Sequence, residues 1–130
     1  MATTTFLVTR STTISTATTT NLGPWALESI NVTGITLFIN VTTASGTTPT
    51  MTVEIQGVDP FSGNAVSLPA QVITASITTT GTYILQNGAG VTGVANKAFG
   101  NLMPTQWRIS IVTGGTPTFT FSIQAVLHET

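Results

Sequence analysis

Along most of this chain, apolar and polar side chains alternate with a period of two. At that period successive side chains of a strand point to opposite faces. Ile35, Leu37, Ile39 and Val41 fall on one side of a strand, with Thr36, Asn40 and Thr42 on the other. Phe38 interrupts the polar side, which implies that another subunit or a loop covers it. Residues 45–50, SGTTPT, read as a turn. Met51, Val53, Ile55 and Gly57 then alternate with Thr52, Glu54 and Gln56, so strand, turn and strand predict a hairpin. DPFSGN (59–64) is a loop with Pro60 and Gly63 at turn positions. Val66 and Leu68 follow, then a strand through Val72, Ile73 and Ile77, and residues 78–81 turn the chain into a strand over 82–86. Residues 87–103, rich in Gly, Asn and Ala, carry no alternation and form the longest irregular stretch. The clearest pattern comes last. Trp107, Ile109 and Ile111 alternate with polar residues, GGTP (114–117) turns, and Phe119, Phe121, Ile123, Ala125 and Leu127 alternate again. This predicts a second antiparallel hairpin.

Residues 1–20 are rich in Thr and Ser, with apolar positions at Phe6, Val8, Ile14 and Ala17. They form one or two strands or an extended arm. Residues 21–30 read as a connection in which Ala26–Ser29 make a single helical turn. The chain thus divides into an N-terminal arm or first strand with its connection (1–29) and a body (30–130), one domain overall. Helical periodicity is otherwise absent. Seven or eight short strands separated by turns predict an all-β fold, a single antiparallel β-sandwich of jelly-roll or immunoglobulin-like type. A closed barrel is the alternative.

Composition adds a constraint on the surface. The chain is 41% hydrophobic, which is ordinary, but only 5% charged, against roughly 25% in an average soluble domain. Threonine fills the gap with about 30 residues; it is β-branched and favours strands. The outer faces are therefore kept polar by hydroxyls instead of charges. At a net charge of −1, little electrostatic repulsion holds copies apart, which suits a subunit of an assembly. The basic residues Arg10, Lys97 and Arg108 are too few and too scattered to neutralise phosphates or an anionic bilayer, so neither nucleic acid nor membrane is an expected partner. There is no cysteine. The N-terminus lacks a basic segment followed by a long apolar run, so no signal peptide is expected. No apolar run approaches the roughly 20 residues of a membrane span.

Candidate chemistry is sparse. The single histidine, His128, is the third residue from the C-terminal end in sequence and is expected to be a solvated tail residue, not a catalytic base. Among Glu28, Glu54, Asp59 and Glu129 no motif pairs two carboxylates; Glu54 is expected to be solvated on the polar side of its strand, and Asp59 to shape a turn. No metal-ligand motif is present, although a Ca²⁺ site built from Asp59 and loop carbonyls is invisible in sequence. Gly88, Gly90 and Gly93 mimic a dinucleotide-binding spacing but lack the following helix and acidic residue. The sequons at Asn31 and Asn40 are chance products of a Thr-rich chain. No enzymatic activity and no cofactor are expected. Trp107 is placed in the core, and Trp25 either plugs one end of the sandwich or anchors a subunit contact. The expected interaction residues are Phe6, Arg10, Trp25, Phe38, Phe61 and Phe99.

Two motifs point further. TPTMTVEIQGVDPFSG (Thr48–Gly63) and PTQWRISIVT (Pro104–Thr113) resemble segments shared by small β-sandwich structural proteins of tailed bacteriophages, and the likeness spans roughly residues 30–127. The resemblance implies a virion component made in the host bacterial cytoplasm, most specifically a capsid decoration (cement) protein. Its partners would be the major capsid protein and copies of itself, as a dimer or trimer. A tail- or fibre-associated module that binds a host-surface glycan is the alternative; it calls for an exposed aromatic such as Trp25, Phe61 or Phe99.

Overall fold

The computed structural model describes residues 3–26 and 32–129. They form seven strands: β1 (Thr3–Ile14), β2 (Thr19–Ala26), β3 (Val32–Val58), β4 (Ala65–Ile73), β5 (Gly81–Gly88), β6 (Ala98–Phe99) and β7 (Gln106–Glu129). The described residues contain no helix. Ala26, the first residue of the expected helical turn, ends β2, and the rest of that turn lies outside the described residues. Residues 3–26 are two strands of the main sheet, both antiparallel to β7.

β3 and β7 set the architecture. They are 27 and 24 residues long and pair antiparallel from Val32↔Glu129 to Gly57↔Trp107. Laid flat at about 3.3 Å per residue, they would span about 80–90 Å, whereas a domain of this size has a radius of gyration of about 14 Å. The ribbon therefore doubles over near its middle. β1 and β2 accompany β7 on one flank, and β5 and β4 accompany β3 on the other. The first layer has the order β1, β7 (C-terminal half), β3 (N-terminal half), β5. The second has the order β2, β7 (N-terminal half), β3 (C-terminal half), β4. β6 adds a short parallel pair to β5.

Alternation survives the fold-over. Val41 and Met51 lie ten positions apart and both point inward, so Ile35, Leu37 and Ile39 face the same core as Val53 and Ile55. On β7, Trp107, Ile109 and Ile111 meet Phe119, Phe121, Ile123 and Ala125 in that core. Leu68, Val72, Ile77 and Leu85 complete it. Burying each large side chain contributes about 1.5–3 kcal/mol, so the two faces hold each other closed.

The segments 45–50 and 114–117 are the corner of this doubled ribbon. Each was expected to close a hairpin between the strands flanking it. Instead they pair with one another, Gly46 opposite Pro117 and Thr50 opposite Gly114. The halves of β3 share no ladder; both pair with β7. Register shifts between Val41/Thr43 and Thr47/Thr50 bend the ribbon, as bulges do. Gly46 (φ +105°), Thr48 (φ +47°) and Gly115 (φ +74°) adopt left-handed backbone there. A Cβ on Gly46 would overlap the carbonyl oxygen of Thr116, and one on Gly115 that of Thr48. The other flanks turn at the same level. Thr113 Oγ1 donates to the carbonyl of Thr16 (2.7 Å), and Met51 and Ile77 exchange backbone hydrogen bonds (3.0 and 2.7 Å).

Gly46→Ala and Gly115→Ala are each expected to lower the unfolding free energy by about 2–4 kcal/mol, since strained φ and backbone overlap act together. Gly63→Ala, at φ +78° with open space around it, is expected to cost only about 1–2 kcal/mol. Equilibrium urea denaturation of the three variants checks this; equal losses at all three sites would contradict the corner assignment.

Candidate interaction surfaces

The six sequence-predicted interaction residues sort into four places. Phe6 and Trp25 come together at the end of the sandwich opposite the corner. Trp25 is the register partner of Trp107, and Phe6 reaches both from β1. Ring centroids are 4.7 Å apart for Trp25–Trp107 and 5.9 Å for each contact of Phe6 with the two indoles, all tilted. Tilted aromatic pairs of this kind contribute about 0.5–1.5 kcal/mol beyond area burial. Trp107 is a core residue, 1% exposed, and Trp25 is half-buried against it, plugging that end. A cleft of about 270 Å³ opens beside the cluster, bounded also by Val32 and Leu127, with Glu129 at its rim. The Trp107 indole N–H has no hydrogen-bond acceptor among the described residues.

Phe38 and Arg10 meet on the outer face of the first layer. They line a shallow groove with Leu7, Asn40 and Gln124. Phe38 is 38% exposed, and no loop among the described residues covers it.

Phe61 stands alone at the tip of the β3–β4 connection, 99% exposed. The loop beneath it is braced from within. Asp59 Oδ1 accepts from the Phe61 N–H (2.9 Å), Asp59 Oδ2 from the Ser62 hydroxyl (2.8 Å), and Ser62 Oγ from the Asn64 N–H (3.2 Å). Backbone bonds between Asp59 and Asn64 and between Gly63 and Asp59 (both 2.8 Å) close it. Phe99, in contrast, lies on β6 and packs half-buried against the core.

Sequence reasoning missed what holds residues 89–105 in place. Asn87 and Asn101 are buried, and Asn87 Oδ1 accepts from the Asn101 backbone N–H (3.1 Å) and side-chain amide (3.0 Å). The Asn101 amide also bonds both backbone groups of Ala70 (2.9 and 2.7 Å). The amides tie this stretch to β4 and β5 beside the short β6 pairing, but in a Gly/Asn/Ala-rich stretch no spacing marks which Asn is buried.

His128, Glu54, Arg108 and Asp59 are held in structural hydrogen bonds. His128 is a residue of β7, not a solvated tail: its Nε2 lies 2.8 Å from Thr36 Oγ1, and Gln86 Nε2 donates to the same hydroxyl (3.1 Å). Glu54 is buried, not solvated. Its carboxylate accepts from Gln56 Nε2 (3.0 Å), Ser67 Oγ (2.6 Å) and Gln71 Nε2 (3.3 Å), while Arg108 Nε donates to Gln56 Oε1 (2.8 Å). A buried carboxylate is tolerable only when hydrogen bonds replace its lost water. Both Asp59 oxygens are engaged by its own loop. Glu28 and Asn31 lie outside the described residues, and Asn40 sits in β3. Among the described residues no three His, Cys, Asp or Glu side chains gather to hold a metal. No helix there is long and apolar enough to cross a membrane.

No protein-family model and no curated protein matches the chain. Its fold is similar to part of a chain in two solved structures of infectious bursal disease virus, of the Gx strain (TM-score 0.57, 17% identity) and the Gt strain (TM-score 0.56, 15% identity). The alignments cover 97% and 98% of this chain but 31% and 32% of those chains, so it spans about a third of their length. At these identities the likeness is one of fold. That virus is not a tailed bacteriophage, so the bacteriophage resemblance rests on the two sequence motifs.

The Phe61 N–H and the Ser62 hydroxyl hold the Asp59 pKa below its ordinary value of 3.8. A depressed carboxylate pKa means that the brace is fully formed above pH 3.8 and is lost as pH falls through the lower, folded value. An NMR titration of the Asp59 side-chain carboxyl is expected to give a midpoint below 3.8, and Ser62→Ala to raise it. A midpoint at or above 3.8 in the unmodified chain would contradict the brace.

Proposed function

We propose that this chain is a structural component of a virion and, more specifically, a non-enzymatic capsid decoration protein. It binds the outer capsid surface, contacts the major capsid protein and bridges neighbouring capsomers. The observation that carries the reading is the match of nearly the whole fold to one part of a longer chain in a virus structure. The chemistry agrees with it: the buried carboxylate and the histidine are tied up in hydrogen bonds, and the surface relies on hydroxyls and amides. A decoration protein acts by mass action, because a partner that binds only the assembled shell shifts the equilibrium against disassembly. Many weak contacts around the shell add avidity. The placement in a bacteriophage, and hence synthesis in a bacterial cytoplasm, follows the resemblance of Thr48–Gly63 and Pro104–Thr113.

Phe61 favours a second reading. A fully exposed aromatic on a braced loop is suited to stack on a sugar ring, as a tail- or fibre-associated module binding a host glycan requires.

One experiment separates them. Particles of the virus that encodes the chain are labelled with a gold-tagged antibody against it, and compared with particles carrying Phe61→Ala. Label spread over the whole shell, with unchanged attachment of the Phe61→Ala particles to cells, is the expected result. Label confined to the tail, with attachment lost in the variant, supports the glycan reading. Particles without label sink both.

A further inference from the structure

The outer face of the first layer carries a row that no other described segment covers. Leu7, Gln124, Phe38 and Ile84 are successive register partners across β1, β7, β3 and β5. Three of the four are large, apolar and 38–46% exposed. On one side of this row lie Thr5, Val126, Thr36 and Gln86, and on the other Ser122, Asn40 and Thr82. Neither flanking row carries a charge. Among the described residues, the charged side chain on this face is Arg10, which lines the groove beside Phe38, and His128 lies two rows away, bonded to Thr36.

We infer that this face is the surface through which two copies of the chain associate about a two-fold axis. Three observations select a second copy as the occupant. The face holds a knob and a hole: Phe38 projects beside a groove of about 570 Å³ lined also by Arg10, Asn40, Thr82 and Ser122. A two-fold axis running across the strands between the rows of Phe38 and Asn40 seats each Phe38 in the groove of the other copy, the self-complementarity an isologous contact requires. The apolar row and both rows beside it are uncharged, so a strongly charged partner finds only Arg10 to pair with, while the aliphatic stem of Arg10 can pack against the inserted Phe38 of a second copy. Finally, four strands about 4.8 Å apart and about eight residues long offer roughly 500 Å² per copy. The total of about 1,000 Å² lies at the lower limit for a specific interface. The dimer is accordingly weak alone and strengthened where many copies are held side by side.

This deepens the virion reading by assigning the self-association surface, and its test needs no particle. Sedimentation equilibrium of the full chain is expected to show a reversible monomer–dimer system with a dissociation constant of about 10–100 µM. Phe38→Thr and Ile84→Thr, which keep a strand-forming residue at each position, should each weaken the dimer at least tenfold. Val112→Thr, on the outer face of the second layer, should leave it unchanged, and unaltered circular dichroism shows that each variant is folded. A chain that stays monomeric at millimolar concentration overturns the proposal. So does a dimer indifferent to Phe38→Thr and Ile84→Thr, or one weakened equally by Val112→Thr. If Phe38→Thr removes antibody label from the particle while the wild-type chain is monomeric, the face docks on the capsid protein; the dimer then fails and the virion reading stands.

Discussion

The close approach of two backbones at Gly46 and Gly115 is the constraint on which this fold depends. β3 and β7 make one ribbon too long for the domain, and it becomes a sandwich only by doubling at one level. There each strand must pass its carbonyls within van der Waals distance of the other's Cα, which leaves no room for a side chain. Because the inward positions keep their parity through the corner, a single alternating strand supplies core residues to both layers. The flanking strands follow the ribbon and turn where it turns. Layer order, core and end-cluster are all consequences of one bend.

The same economy governs the polar groups. With so few charges available, outer positions are satisfied by hydroxyls, amides and ladder bonds, as where Thr13 and Thr120 pair across strands (2.9 Å). Glu54, the one deeply placed carboxylate among the described residues, is enclosed by three donors from β3 and β4 instead of a counter-ion. Arg108 reaches it only through Gln56. Such a chain of hydrogen bonds fixes the second layer's outer face without a formal ion pair, and leaves the carboxylate no free oxygen for chemistry.

Much of this was legible in sequence because a period of two reports the face of a strand directly. The inward set of Ile35–Val41, Met51–Ile55, Trp107–Ile111 and Phe119–Ala125 reads straight off the chain, as does the core position of Trp107. Strand pairing was not legible. A Gly- and Thr-rich break looks the same whether it closes a hairpin or bends two long strands that pair with each other, because the local φ requirement is shared. Only the long-range register separates them. For the same reason Phe38 stood out as an apolar residue on a polar face. Its alignment with Leu7 and Ile84 depends on pairings 31 and 46 positions away in the chain, which alternation cannot convey. Glu54 and His128 were misjudged because burial of a polar residue depends on which neighbours fold over it, not on its own strand.

The edges of the sandwich bear on how it meets other proteins. β1, at one edge, is broken by register shifts around Thr9 and by Ser11 at φ +42°. β2 and β4, at the edges of the second layer, each contain a proline, Pro24 and Pro69. Bulges and prolines on edge strands withhold the continuous row of N–H and C=O groups that another sheet would need for strand addition. Strand addition at β1, β2 and β4 is therefore opposed, while the row of Leu7, Gln124, Phe38 and Ile84 carries no charge to oppose contact. A chain that interrupts three of its edge strands and leaves an apolar row on one outer face favours face-to-face packing over strand addition. Such packing terminates when the face is covered, whereas strand addition at an open edge continues from copy to copy.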